Sequence, residues 1–211
     1  MEALLAFAAA LVALRLSADL VRRYRRRRAS ELVAWSGALG SYAVAAGALA
    51  WGEAAGWNDA AFRVYYLGGA MLTAALLGIG SLLLVGRRWA APLGLLYVGL
   101  AVGIALAVPI EGTLSGTELP EAQDALDLWP ARVVAIAANA LGTVAVVAIA
   151  LATMRRRPLG NALLLAGVGV AAIGTGLAGL GVGALAPAIA LAALLLYAGM
   201  ITPRAGARPR P

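Results

Sequence analysis

Arg15 and Asp19 stand four residues apart in an otherwise apolar run, so on a helix their side chains fall one turn apart and can meet. Arg15 also lies about 10 Å along such a helix from Arg22, within reach of snorkelling towards the cytoplasmic side. Two readings follow: an intramembrane ion pair that gates a pathway or meets an anionic headgroup, or an Asp19 that pairs with Arg15, Arg22 or Arg23 and seats the helix. Two polar stripes form a second set. Arg63, Tyr66, Thr73 and Ser81 share one face of a helix, and so do Arg132, Asn139 and Thr143. Each stripe begins with an arginine and runs inward, and Asn139 lies about 12 Å below Ala131. Facing each other, they would line a small cavity with basic lips, suited to an anionic or carbonyl-bearing ligand. Alternatively, Thr73, Asn139 and Thr143 tie helices together, and Arg63 and Arg132 pair with Glu53, Asp59 or Glu111. The third set is the run Arg22, Arg23, Arg25, Arg26, Arg27 and Arg28, a cluster that attracts anionic lipid headgroups.

The missing residue types limit the chemistry. The chain contains no cysteine, histidine or lysine, and all seventeen basic residues are arginine. Disulfides, iron–sulfur clusters, haem ligation and the usual zinc sites therefore lack ligands. A retinal Schiff base lacks its amine. Acids and bases would have to come from Asp19, Glu31, Glu111 or tyrosines, which form no recognisable catalytic group. No enzyme, metal or cofactor is expected.

These residues need elements to hold them. Of 211 residues, 63% are hydrophobic and 13% charged, and mean hydropathy is +0.88. A chain so poor in polar groups cannot coat itself for water, so a bilayer is its natural solvent. Apolar runs long enough to span about 30 Å of hydrocarbon fall at 2–21, 31–51, 64–86, 90–110, 131–154, 160–179 and 184–202. The break "GLAGLGVGALAP" divides the last two. Residues 1–203 thus form an all-α, seven-helix transmembrane domain, followed by a disordered basic tail at 204–211.

Charge sorts the connecting segments. The Arg22–Arg28 run, Arg87–Arg88, Arg155–Arg157 and Arg204, Arg208 and Arg210 share one side, fourteen of seventeen arginines. Glu2, Glu53, Asp59, Glu111, Glu118, Glu121, Asp124 and Asp127 share the other. The positive-inside rule then places the N-terminus outside and the C-terminus in the cytoplasm of a multi-pass cell-membrane protein. "MEALLAF" lacks the basic segment of a cleaved signal peptide, so the first helix is expected to stay as an anchor. Trp51, Trp57 and Trp129 would mark the outer boundary, with Trp35 and Trp89 at the inner one. "TELPEAQDALDLW" reads as a short interfacial helix. Small residues four apart (Ser36 and Gly40, Gly99 and Gly103, Gly179 and Gly183) permit close helix approach. The net charge of +7 is not spread over a face with interleaved aromatics but sits in short runs between apolar stretches, which argues against nucleic acid.

The stretch "EAAGWNDAAFRVYYLGGAMLTAALLGIGSLLL", with "AANALGTVAVVAIAL", resembles a group of uncharacterised multi-pass membrane proteins from actinobacteria and archaea. The resemblance implies a polytopic bundle and no particular activity. Seven helices with an outside N-terminus also match the layout of rhodopsin-like and three-plus-one-plus-three transporter folds, helices one to three corresponding to five to seven; no PQ-loop signature is visible. The leading expectation is a non-enzymatic membrane protein that binds or transports a small amphipathic molecule or lipid. The alternative is a sensory or accessory subunit, which would associate as a homo-oligomer or with another membrane protein through a glycine-rich outer face.

Overall fold

The computed structural model describes residues 2–178 and 185–202, with side chains for 2–174 and 187–202. The described residues form eight helices: α1 (Glu2–Arg27), α2 (Ser30–Ala55), α3 (Asp59–Leu84), α4 (Ala90–Ala107), the single turn α5 (Ala122–Ala125), α6 (Leu128–Ala152), α7 (Pro158–Ala178) and α8 (Leu185–Ile201). By length and composition α1, α2, α3, α4 and α6 can each cross a membrane, while α7 and α8 carry the shorter apolar stretches Pro158–Gly174 and Pro187–Ile201. The chain is an all-helical protein of the membrane type. Its exterior agrees: Leu95, Leu96, Leu106 and Leu141 are all more than 70% exposed, while alanines such as Ala13, Ala38, Ala46 and Ala193 are fully buried. Such an arrangement, large apolar groups outward and small ones inward, suits a hydrocarbon solvent.

Local chemistry sets the breaks. Asn58 caps α3, its Oδ1 accepting from the Ala61 amide at 3.0 Å. Gly56 takes a positive φ of 90° to leave α2, and Gly86 one of 84° after α3. Only Arg28 and Ala29 separate α1 from α2, which forces the two antiparallel. Pro187 lies in the first turn of α8, where its missing amide costs no helical bond. Between α4 and α6 the chain folds over the acidic end of the bundle. There the Trp57 amide donates to Gly116 O at 2.9 Å, and the Glu111 amide to Ala125 O at 3.0 Å. Within the segment expected to form an interfacial helix, Ala122–Ala125 makes a single turn and Leu128 and Trp129 already begin α6.

The long helices close into a ring. α1 packs on α2, α2 on α3, α3 on α6, α7 on α8, and α8 returns to α1; α6 touches α7 more sparsely, and α4 lies outside against α3. Close seams depend on glycine. A Cβ on Gly142 would stand 2.2 Å from Ala74 O, and one on Gly78 2.8 Å from Gly142 Cα, so α3 and α6 touch backbone to backbone. Ser17 Oγ donates to Ser36 O at 2.7 Å beside Gly40, so the expected Ser36/Gly40 pair does serve a helix contact, that of α1 with α2. Gly99 and Gly103 meet nothing within 4 Å, because they face outward from α4. Gly179, Gly183, most of the glycine-rich break and the basic tail lie outside the described residues.

Two of the tryptophan expectations need correction. Trp51, Trp89 and Trp129 are exposed, as boundary residues should be, but Trp35 and Trp57 are 2% and 3% exposed. Gly80 and Gly52 make room for their rings; a Cβ at either glycine would fall 2.3 Å from the indole it faces. These two rings are core.

Candidate ligand cavity between the helices

The bundle has two hydrophobic clusters. One, around Leu49, Trp57, Phe62 and Ile104, fills the acidic end; the other, around Leu20, Trp35, Leu39 and Met200, fills the arginine-rich end. A cavity of about 440 Å³ lies between them, with Ile189 of the first cluster and Leu77 and Leu196 of the second in its wall. α2 contributes Tyr42 and Ala45, and α3 contributes Tyr65, Gly69, Ala70, Thr73 and Ala74. Asn139 and Thr143 come from α6, with Val168, Ala171 and Ala172 from α7. Among the described residues no charged side chain lines it. A mostly apolar wall with a few polar groups is the usual make-up of a small-molecule site.

The α3 wall has a wide π turn over Tyr66–Thr73. Changing from four-residue to five-residue hydrogen bonding disturbs the backbone ladder, and such turns concentrate at functional sites. Side chains reach the carbonyls of this turn. Thr73 Oγ1 donates to Gly68 O at 2.7 Å and Tyr97 OH, from α4, to Met71 O at 2.8 Å, while Asn139 Nδ2, from α6, donates to Ala70 O. Asn139 Nδ2 also approaches Ala135 O at 3.4 Å. Because both partners are carbonyls, the amide nitrogen must face them, which leaves Oδ1 as an acceptor with no protein donor among the described residues. The Tyr42, Tyr65 and Thr143 hydroxyls likewise make no hydrogen bond among those residues. Asn139 and Ala172, on the α6 and α7 walls, are exposed, so among the described residues the cavity opens between those two sparsely packed helices.

The six residues proposed from sequence to share a cavity divide. Thr73, Asn139 and Thr143 come together here. Arg63 and Tyr66 do not: they line a separate space of about 20 Å³ at the acidic end, room for about one water. Tyr66 is buried and stacked on Phe62, with ring centroids 6.0 Å apart. Arg63 donates through Nη1 to Ala105 O at 2.6 Å and Val108 O at 2.7 Å. These carbonyls at the end of α4 have no helical partner, and a guanidinium satisfies them well. Arg63 thus forms neither a basic lip nor a pair with Glu53, Asp59 or Glu111. Arg132, half-buried at the start of α6, makes no hydrogen bond or ion pair among the described residues and lies outside the cavity wall. Ser81 turns its hydroxyl back to Leu77 O at 3.0 Å.

The Arg15–Asp19 pair is also corrected. Asp19 bonds Arg23 Nε at 2.7 Å and accepts from Tyr197 OH of α8 at 2.5 Å. Arg23, one turn beyond Asp19 and beside Tyr197, takes the carboxylate, and Arg15 makes no ion pair among the described residues. Three residues that the sequence reading passed over prove important. Tyr42 and Tyr65 look like ordinary aromatics in their runs. Asn161, 1% exposed, donates to Thr153 Oγ1 at 2.9 Å and fixes the start of α7 to the turn after α6. Its signal was there to be used, since it is one of only two asparagines inside apolar runs.

The fold and cavity define a helical membrane protein with an internal, uncharged space. No family model, no curated protein and no solved structure matches the chain.

Proposed function

We propose that this is a seven-pass cell-membrane protein, N-terminus outside and C-terminus in the cytoplasm, that binds or transports a small, neutral, amphipathic molecule or lipid without chemically altering it. The carrying observation is the cavity between the two hydrophobic clusters, with Tyr42, Tyr65, Asn139 and Thr143 offering hydrogen bonds that no described residue takes up. Three hydroxyls that can donate or accept, beside the Asn139 Oδ1 acceptor, suit a hydroxyl or carbonyl group on an apolar body. An anion is disfavoured because Arg63 is committed elsewhere. The opening between α6 and α7 suits a ligand that arrives through lipid.

The packing supports a three-plus-one-plus-three reading. Exchange α1 with α6, α2 with α7 and α3 with α8: the α1–α8 contact becomes α6–α3, and α2–α3 becomes α7–α8, each of which exists. α4 is the odd helix outside. Parallel repeats of this kind place substrates at their interface near midplane, and residues from α2, α3, α6, α7 and α8 enclose the cavity. One observation favours the accessory-subunit reading instead: Gly99 and Gly103 lie bare on the outer face of α4 beside exposed leucines.

The test is the lipid and small-molecule complement of the purified protein, read by mass spectrometry. Wild type should retain a neutral amphipath, and Asn139→Leu should reduce it several-fold while the protein stays monodisperse. An unchanged complement in Asn139→Leu and in a Tyr42→Phe/Tyr65→Phe variant would remove the cavity as the site.

A further inference from the structure

A second space, of about 330 Å³, opens on the outer side of α1 where it crosses α8, lined by Leu11, Leu14, Arg15, Asp19, Arg22 and Tyr197 among others. Its electrostatics are unbalanced. Asp19 is the one acid among the described residues that line it, and that carboxylate is already held by Arg23 and Tyr197. Arg15 and Arg22, seven residues apart and therefore on one helical face, make no hydrogen bond or ion pair among the described residues. Both are exposed. Arg15 is the innermost arginine of α1, seven residues beyond the basic run, on the exposed face that also carries Leu11 and Leu14. An arginine in that position has to snorkel to the headgroup level, and there its guanidinium meets lipid phosphates.

We infer that Arg15 and Arg22 form a site for the phosphodiester of an anionic phospholipid, whose acyl chain lies along Leu11 and Leu14. Two guanidiniums about 10 Å apart along the helix bracket one phosphate headgroup, each donating paired N–H bonds to its oxygens. The Tyr197–Asp19–Arg23 knot holds α8 as the opposite wall and keeps the carboxylate from competing for Arg15. This differs from diffuse attraction by the Arg25–Arg28 run, because the apolar wall selects an esterified phosphate over a free one. The inference depends on membrane residence and is independent of the central cavity.

The test titrates the full-length protein in neutral detergent with phosphatidylglycerol or phosphatidylcholine, counting bound lipids by native mass spectrometry. One phosphatidylglycerol should bind at least about tenfold more tightly than phosphatidylcholine. Arg15→Gln and Arg22→Gln should each weaken it about fivefold, the loss expected for one basic residue at a headgroup. Arg15→Lys should retain most of the binding, and Arg26→Gln, outside this space, should leave it within about twofold. Equal binding of the two lipids, or a loss in Arg26→Gln as large as in Arg15→Gln, would overturn the site. Displacement of the lipid by inorganic phosphate at matched concentration would overturn the lipid as occupant and assign the pair to a soluble phosphate.

Discussion

Replacing Gly142 by alanine should open the seam on which the cavity depends. The new Cβ would stand 2.2 Å from Ala74 O and 2.8 Å from the Ala75 amide nitrogen, both backbone atoms that no rotamer change can move. Restoring ordinary contact requires α3 and α6 to part by roughly 1 Å. Overpacking of this kind costs about 1–3 kcal/mol. The same displacement stretches the Asn139–Ala70 bond, worth about 0.6 kcal/mol in a membrane bundle. Alanine's better helix propensity returns about 0.5–1 kcal/mol. The net loss is thus about 1–3 kcal/mol, read as a shift in reversible unfolding by denaturing detergent in bicelles. Ligand retention should fall with it, because Asn139 and the wide turn share that seam. Gly99→Ala is the control: its Cβ meets nothing within 4 Å, so it should be neutral or slightly stabilising. If Gly142→Ala unfolds at the same point as Gly99→Ala, α3 and α6 do not touch as described.

Two further outcomes are expected. Arg63→Gln removes a charged donor from Ala105 O and Val108 O and should cost about 1.5–3 kcal/mol, the scale of hydrogen bonds to a charged group, while leaving cavity ligand binding intact. If ligand loss exceeds the stability loss in that variant, Arg63 belongs to the site after all. In whole cells, a reporter fused after Arg88 should read cytoplasmic and one fused after Glu118 external; the same compartment for both would refute the seven-pass threading.

The sequence revealed helices far better than partners. Apolar length and glycine breaks mark each long helix, because a bilayer leaves little other choice for backbone hydrogen bonds. Helical spacing likewise placed Thr73, Asn139 and Thr143 on faces that meet. What spacing does not encode is competition. Arg63 has a carboxylate-bearing loop nearby in sequence, yet the unsatisfied end of α4, over forty residues away, claims it. Asp19 has arginines three, four and four residues away, at Arg22, Arg15 and Arg23, and a tyrosine on the last helix helps decide among them. Trp35 and Trp57 read as boundary residues until Gly80 and Gly52 are seen opposite them.

The uneven packing of neighbouring helices bears on how such a bundle would work. α1 and α2 are joined by two residues and pack closely, tied by Ser17 and Ser36, whereas α6 and α7 pack sparsely. Asn161 and Arg157 instead secure the turn between α6 and α7. Asn161 bonds Thr153, and Arg157 Nη2 donates to Gly199 O and Thr202 O, each at 2.9 Å, at the end of α8. The sparsely packed α6–α7 pair is therefore tied at its arginine-rich turn. Asn139, whose exposed side chain reaches the wide turn of α3, sits on that loosely packed side, so a ligand taking up its free Oδ1 would engage the one residue that joins the opening to the cavity wall.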